Sequence, residues 1–499
     1  MTFLHRLLLF LLLVFVWSTS ETPESSLTLA CFAVIAGRKA TEDGSVLVAH
    51  NEQNYPPALI SFDRVPRQPF DRAVPERYRL PGRPVRPKQT ASFLWSQCLP
   101  QESADRYLNE YGVAILSDRC RTREDDAEEL ARRGELRDGG IGYMLRRLVA
   151  LQATTAREGV EIAGQLVEHF GYTTPGRTYI IADPNEAWLM ALVGGRRWVA
   201  QRVADDAVVA LPNVHVIRQF DLSDSAQFLG SKDVVDYAVR RGWYDKSVDG
   251  PFDFRKVYRG FKPDEEVVPE GVMTGRPDPP DPRRWMAYRL ISGRDVPWPP
   301  KNPLPLWIKP REPMNVASMI AILRNRDSER PIGEVITDEA EVMQLRADLP
   351  RAVGCIYWRA TCEPTCSVLT PWYLGIMSVP DYYHQPAALE RRLTLDYQFN
   401  PPEGTFQPDH ELAWWKFKTL QDRVHEDYDG RIGQIRPEWD KLENRLLADQ
   451  KKVEQEAMRL WKKDRSAAEA YLTRYCADAA EEACHTADRL AAMFGPGGN

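Results

Sequence analysis

The 499-residue chain contains no block of five or more basic residues, and its 65 lysines and arginines are outnumbered by 71 aspartates and glutamates. A formal net charge of −6 without a basic stripe removes the electrostatic footprint that tracks phosphates, so nucleic acid is not an expected partner. Beyond the first 20 residues no apolar run approaches the roughly 20 residues of a membrane-spanning helix. Metal-ligand spacings are also scarce. His410-Glu411 is not followed by a second histidine one helical turn on, because Trp414 stands there, and Cys362 and Cys366 have no second ligand pair close by in the sequence. No metal or cofactor is therefore expected. Neither a solenoid repeat nor a sustained heptad is present. What remains, 43% hydrophobic and 27% charged residues, is the composition of a chain with a large core.

The amino terminus has the pattern of a secretory signal peptide over residues 1–20: His5 and Arg6, an apolar run from Leu7 to Trp17, then small polar residues to Ser20. Export to a periplasm or the outside is the expectation. Cleavage fits after Ser20, which leaves a propeptide over residues 21–30, or after Ala30; either route makes Cys31 a candidate mature N-terminus. Leu27 to Cys31 partly matches a lipoprotein site, but the apolar run ends well before Leu27 and Thr28 replaces an aliphatic residue, which disfavours a lipid anchor.

Two β-branched runs, Phe32 to Ala36 and Ser45 to Ala49, flank a Gly37-to-Gly44 turn and predict a hairpin beginning at Cys31. Further hairpins are predicted from Thr178–Ala182 with Ala187–Val193 and from Trp198–Val203 with Ala207–Leu211. Residues 139–170 carry helical periodicity. Proline-rich stretches, Pro56 to Pro87 and Pro263 to Pro310, predict long loops. Strands and helices are segregated, so the expected class is α+β, with a core over residues 31–409 and a layer of two or three amphipathic helices over 410–494.

Eight cysteines in an exported chain permit disulfides without requiring them. Cys362 and Cys366 would close a small loop, whereas Cys476 and Cys484, about 12 Å apart along one predicted helix, cannot bridge. Cys31 is different in kind. Freed at an N-terminus, its α-amine titrates near 7.7–8.0 and lies within reach of its own thiol, so one residue supplies both nucleophile and base. By itself an early cysteine in an apolar run reads more often as a buried strand residue.

The run from Cys31 to Glu52, with Gly37, Asp43, Gly44, His50 and Asn51, resembles the opening of the dipeptidase A and secernin family of cysteine N-terminal-nucleophile hydrolases. Asn109 to Ile115, Ala182 to Trp188, Trp198 to Asp206, Pro212-Asn213, Gly242 to Tyr244, Phe252 to Arg255 and Arg283 to Trp285 continue the resemblance in order. It implies an αββα four-layer sandwich with additional C-terminal helices, a Cys31 nucleophile exposed by processing, and hydrolysis of short peptides, typically dipeptides with a free amino end. It also implies Asn213 at the oxyanion site and Arg284 as an active-site arginine. Where many relatives read Ala-Arg-Asn-x-Asp, this chain reads Ala49-His50-Asn51-Glu52-Gln53, so His50, Glu52 and Gln53 are the candidates for positioning the amine or substrate, with an anion missing at Gln53. The alternatives are a non-peptide amide hydrolase of the acylase type and an inactive binding protein of the same fold.

Overall fold

The computed structural model describes residues 31–55, 57–80, 87–101, 105–120, 122–123, 126–173, 176–259, 281–327 and 331–495. The expected signal peptide and propeptide, residues 1–30, lie outside them.

Among the described residues fourteen strands, numbered in chain order, form two antiparallel sheets. The first runs β10 (Val208–Leu211), β1 (Phe32–Ala36), β2 (Val46–Gln53), β12 (Thr337–Leu345), β13 (Cys355–Thr361), β14 (Thr370–Tyr373). The second runs β11 (Phe228–Gly230), β9 (Trp198–Arg202), β8 (Ala187–Leu192), β7 (Arg177–Ala182), β6 (Ala114–Arg119), β5 (Arg106–Asn109), β4 (Phe93–Leu99), β3 (Leu59–Val65).

Period-two alternation assigns the faces of the second sheet. Leu116, Ile180 and Leu189 join the core facing the first sheet, while Ile115, Ile181 and Trp188 pack on the other side with residues of helices Met144–Ala150 and Ala156–Phe170. On the first sheet, helices Pro282–Ser292, Val316–Leu323, Ala413–His425, Tyr428–Trp461 and Arg465–Ala492 provide the outer layer. The architecture is the expected αββα sandwich with extra C-terminal helices. Among the described residues no helix is long and apolar enough to cross a membrane.

The hairpin beginning at Cys31 is present, Ala33 pairing with His50 and Phe32 with Asn51. Three local expectations need correction. Trp198–Arg202 and Val208–Leu211 are strands but not a hairpin: β9 pairs with β8 and β11, whereas β10 crosses to the first sheet and pairs with β1. The turn between them is a sheet-to-sheet passage, held where the Gly37 amide donates to the Ala207 carbonyl at 3.0 Å. Proline-rich residues 56–87 include β3, which sits at a sheet edge where flanking prolines remove no ladder bond. Residues 263–310 include the helix Pro282–Ser292, with proline at its first position and Asp281 capping the amides of Arg283 and Arg284.

Candidate active site

Cys31 immediately precedes β1 and lies opposite Glu52 by the register that pairs Phe32 with Asn51. Its Sγ is 3.6 Å from Glu52 Oε1 and 3.6 Å from the Gln53 carbonyl. His50, two residues from Glu52 on the same strand face, points into the space between the sheets. There its Nδ1 is 3.0 Å from Glu341 Oε1 on β12, and its Nε2 is 2.9 Å from Asp118 Oδ1 on β6. Donor atoms of Cys31, His50 and Asp118 all lie within 4.8 Å of one another.

His50, Asp118 and Glu341 are all fully buried. Burial opposes charge on His50, but Glu341 and Asp118 outweigh it and hold the imidazole well above its ordinary pKa. The ring is an imidazolium donating from both nitrogens. Burial, reinforced by Glu52 and opposed by His50, pushes the Cys31 thiol up to about 11. In the uncut chain Cys31 is thus a protonated thiol whose nitrogen belongs to a peptide bond. Burial also raises the Glu52 carboxyl, against the pull of Arg106 and His50.

A buried ion network continues from this point. Arg106 Nη1 is 3.4 Å from Glu52 Oε2, and Arg106 Nε is 3.3 Å from Glu341 Oε1. Arg106 also contacts Glu339, whose other oxygen accepts from Arg359 Nε at 2.6 Å. Each sheet contributes both signs, so the inter-sheet charges compensate one another.

On the other side of Cys31, Arg283 donates to the Cys31 carbonyl at 3.1 Å and to Asn213 Oδ1 at 3.2 Å. The Asn213 amide is thereby oriented with its NH₂ group buried and, among the described residues, without a hydrogen-bond partner. Arg284 is not at the site. Its Nη2 donates to the carbonyls of Leu304 and Pro305, and burial together with Arg255 lowers its pKa to about 10. Successive residues of a helix point about 100° apart, so the shift of one position decides which arginine reaches Cys31.

Gln53 also departs from expectation. Its side chain lies on the opposite face of β2 from Glu52, donating to the Ile332 carbonyl and to Thr337 Oγ1, and Asn51 shares that face and that carbonyl. The anion beside the nucleophile is Glu52. Of the six residues singled out in the sequence, Cys31, His50, Glu52 and Asn213 converge on one place, and Gln53 reaches it only through its backbone. Asp118, Glu341, Arg106 and Arg283 complete the site and were not singled out. For Asp118, Glu341 and Arg106 the signal is an ionisable residue on the core-facing parity of a strand, as in Ala114, Leu116, Asp118; Arg283 stands on a helix and carries no such signal.

A two-sheet sandwich that presents a cysteine at the start of its first strand, beside buried charge partners, defines a cysteine hydrolase of the N-terminal-nucleophile type. Residues 30–436 match Peptidase family C69, and the chain belongs to that family as a cysteine-type peptidase. It is similar to a dipeptidase of Bifidobacterium longum, 24% identical over 401 residues, covering 71% of this chain and 73% of that one. A probable dipeptidase of Salmonella dublin is 24% identical over 369 residues, covering 70% and 82%. A probable dipeptidase B of Streptococcus pyogenes is 23% identical over 488 residues, covering 92% and 91%.

Proposed function

We propose that the chain is an exported dipeptidase whose mature form begins at Cys31 and which cleaves dipeptides bearing a free amino end. The observation that carries this reading is that Arg283 donates both to the Cys31 carbonyl and to Asn213 Oδ1, which gathers the cysteine and the amide at one site. The signal-peptide pattern supports export, and the names of the similar dipeptidases support the substrate class.

Once the bond before Cys31 is cut, its α-amine takes the thiol proton and the thiolate attacks the peptide carbonyl. The oxyanion accepts from the Asn213 NH₂ group and a backbone N–H. The protonated amine then gives its proton to the leaving amino acid, and a thioester remains on Cys31. Water, deprotonated by the same amine, hydrolyses it and restores the thiol. Glu52 sits where it favours the ammonium form of that amine, a role the family pattern gives to the residue one position on. The imidazolium of His50, locked between Asp118 and Glu341, lowers the cost of the thiolate. The variation at His50 and Gln53 therefore preserves one cation and one anion at the nucleophile, against the reading of an inactive binding protein.

Fluorogenic dipeptides test the reading. Turnover by the processed protein that is lost in Cys31→Ala is expected; turnover of acylated amines in preference to dipeptides would favour the acylase alternative.

A further inference from the structure

A second cluster of nucleophilic and ionisable groups lies outside the active site, where the loop after β13 meets the C-terminal helices. Glu363 is fully buried, and its two carboxylate oxygens have separate duties. Oε1 accepts from Arg326 Nη1 at 2.5 Å and from Thr365 Oγ1 at 2.5 Å. Oε2 is 2.5 Å from His425 Nε2 and 3.7 Å from Cys366 Sγ. Donor atoms of Glu363, Cys366 and His425 all lie within 4.8 Å of one another.

We propose that Cys366, His425 and Glu363 form a three-ligand zinc site with an open fourth position, which links the 362–368 loop to the C-terminal helices. A thiolate, an imidazole and a carboxylate are the donors zinc takes, with water in the fourth position. Bond lengths near 2.3 Å to sulfur and 2.0–2.2 Å to nitrogen and oxygen imply, for a tetrahedron, a sulfur-to-oxygen edge of about 3.6 Å and a nitrogen-to-oxygen edge of about 3.4 Å. The 3.7 Å separation of Cys366 and Glu363 already fits. The His425 contact at 2.5 Å is a hydrogen bond that opens by roughly 0.9 Å when the metal replaces its proton. The His425 side chain is 20% exposed, whereas Glu363 is fully buried, so the imidazole is the ligand with access to solvent.

The surroundings match an outer shell that orients ligands. Arg326 and Thr365 hold Oε1 and leave Oε2 free to bind. Tyr428 packs on the His425 ring at 4.9 Å, and the Arg326 guanidinium lies 4.3 Å from the centre of the Tyr428 ring. Cys362 is not a ligand, because its Sγ points to the Trp414 carbonyl at 3.9 Å. Zinc entry releases the Cys366 thiol proton and the proton shared by His425 and Glu363 to solvent, while all three donors keep their electron pairs for the metal. Local spacing hid this set, since His425 lies 62 residues beyond Glu363.

The test uses the full chain carrying Cys31→Ala, which removes the thiol of the Cys31, His50 and Asp118 cluster. Chelator-treated protein is titrated with cobalt(II). One equivalent with a thiolate-to-cobalt charge-transfer band, displaced by zinc, is expected, together with a rise in thermal midpoint on adding zinc. The band disappears with Cys366→Ser and survives Cys362→Ser. His425→Gln, at a partly exposed position, weakens binding at least about tenfold and serves if Cys366→Ser does not fold. Absence of the band in the folded Cys31→Ala protein, or an equal band after Cys366→Ser or His425→Gln, overturns the proposal. The readout is metal content and not turnover, so its failure leaves the hydrolase reading intact.

Discussion

Arg283 holds the oxygen of the Asn213 amide at 3.2 Å, and the NH₂ group of Asn213 is left as a buried donor with no partner among the described residues. A donor kept unsatisfied and aimed by an arginine is costly for folding alone and useful to a developing oxyanion.

Asn213→Ala should therefore lower kcat by about 10²–10³, the scale for removing one oxyanion donor, with a smaller change in KM. Steady-state kinetics on a dipeptide checks this. A change confined to KM would assign Asn213 to substrate binding.

The two adjacent arginines should separate cleanly. Arg283→Ala loses the bonds to Cys31 and Asn213 and should lower kcat strongly, whereas Arg284→Ala should leave kcat within a few-fold of wild type, since its side chain donates to the 304–305 carbonyls and not to the site. Parallel kinetics and thermal melts of the two variants decide between them.

Glu52 and Gln53 make opposite predictions about pH. An anion beside the freed α-amine raises its pKa, and the amine must be neutral to take the thiol proton. Glu52→Gln should move the acidic limb of kcat/KM to lower pH. Gln53→Asp, on the far face of β2, should leave the limb in place. A limb that moves to higher pH in Gln53→Asp and stays fixed in Glu52→Gln would return the amine-holding role to residue 53.

His50 should matter for stability as well as rate. Removing a buried cation from between Asp118 and Glu341 breaks a buried ion pair and leaves Glu341 to Arg106 alone, a change that costs about 3–5 kcal/mol. Because the folded-state pKa of His50 is raised, its protonation contributes stability that is fully present below its ordinary value of 6.5 and lost as pH rises through the folded value. Thermal midpoints of wild type and His50→Ala should accordingly differ most at acidic and neutral pH and converge in the alkaline range.

Much of this was legible before any coordinates. The hairpin at Cys31 followed from β-branched runs around a glycine-rich turn, and the sandwich from the order of family-like segments. Sheet membership was not legible: β9 and β10 are adjacent in sequence, yet only long-range pairing separates them into different sheets. The site was half legible, because His50 and Glu52 lie on the same strand face as the nucleophile, while Asp118, Glu341 and Arg106 arrive from distant strands. The choice between Arg283 and Arg284 rested on helix phase, which a helix embedded in a proline-rich stretch did not reveal.

The central claim is that Cys31 acts as an N-terminal nucleophile, and intact-mass analysis of the active species tests it most directly. Fractions of purified protein are assayed for dipeptide hydrolysis and weighed in parallel. The account predicts that activity resides only in the form beginning at Cys31, and that a dipeptide-derived acyl adduct, when trapped, maps to that residue. Full activity in a form that still carries residues before Cys31 would contradict it, because the amide nitrogen there has its lone pair delocalised into the carbonyl and cannot serve as base.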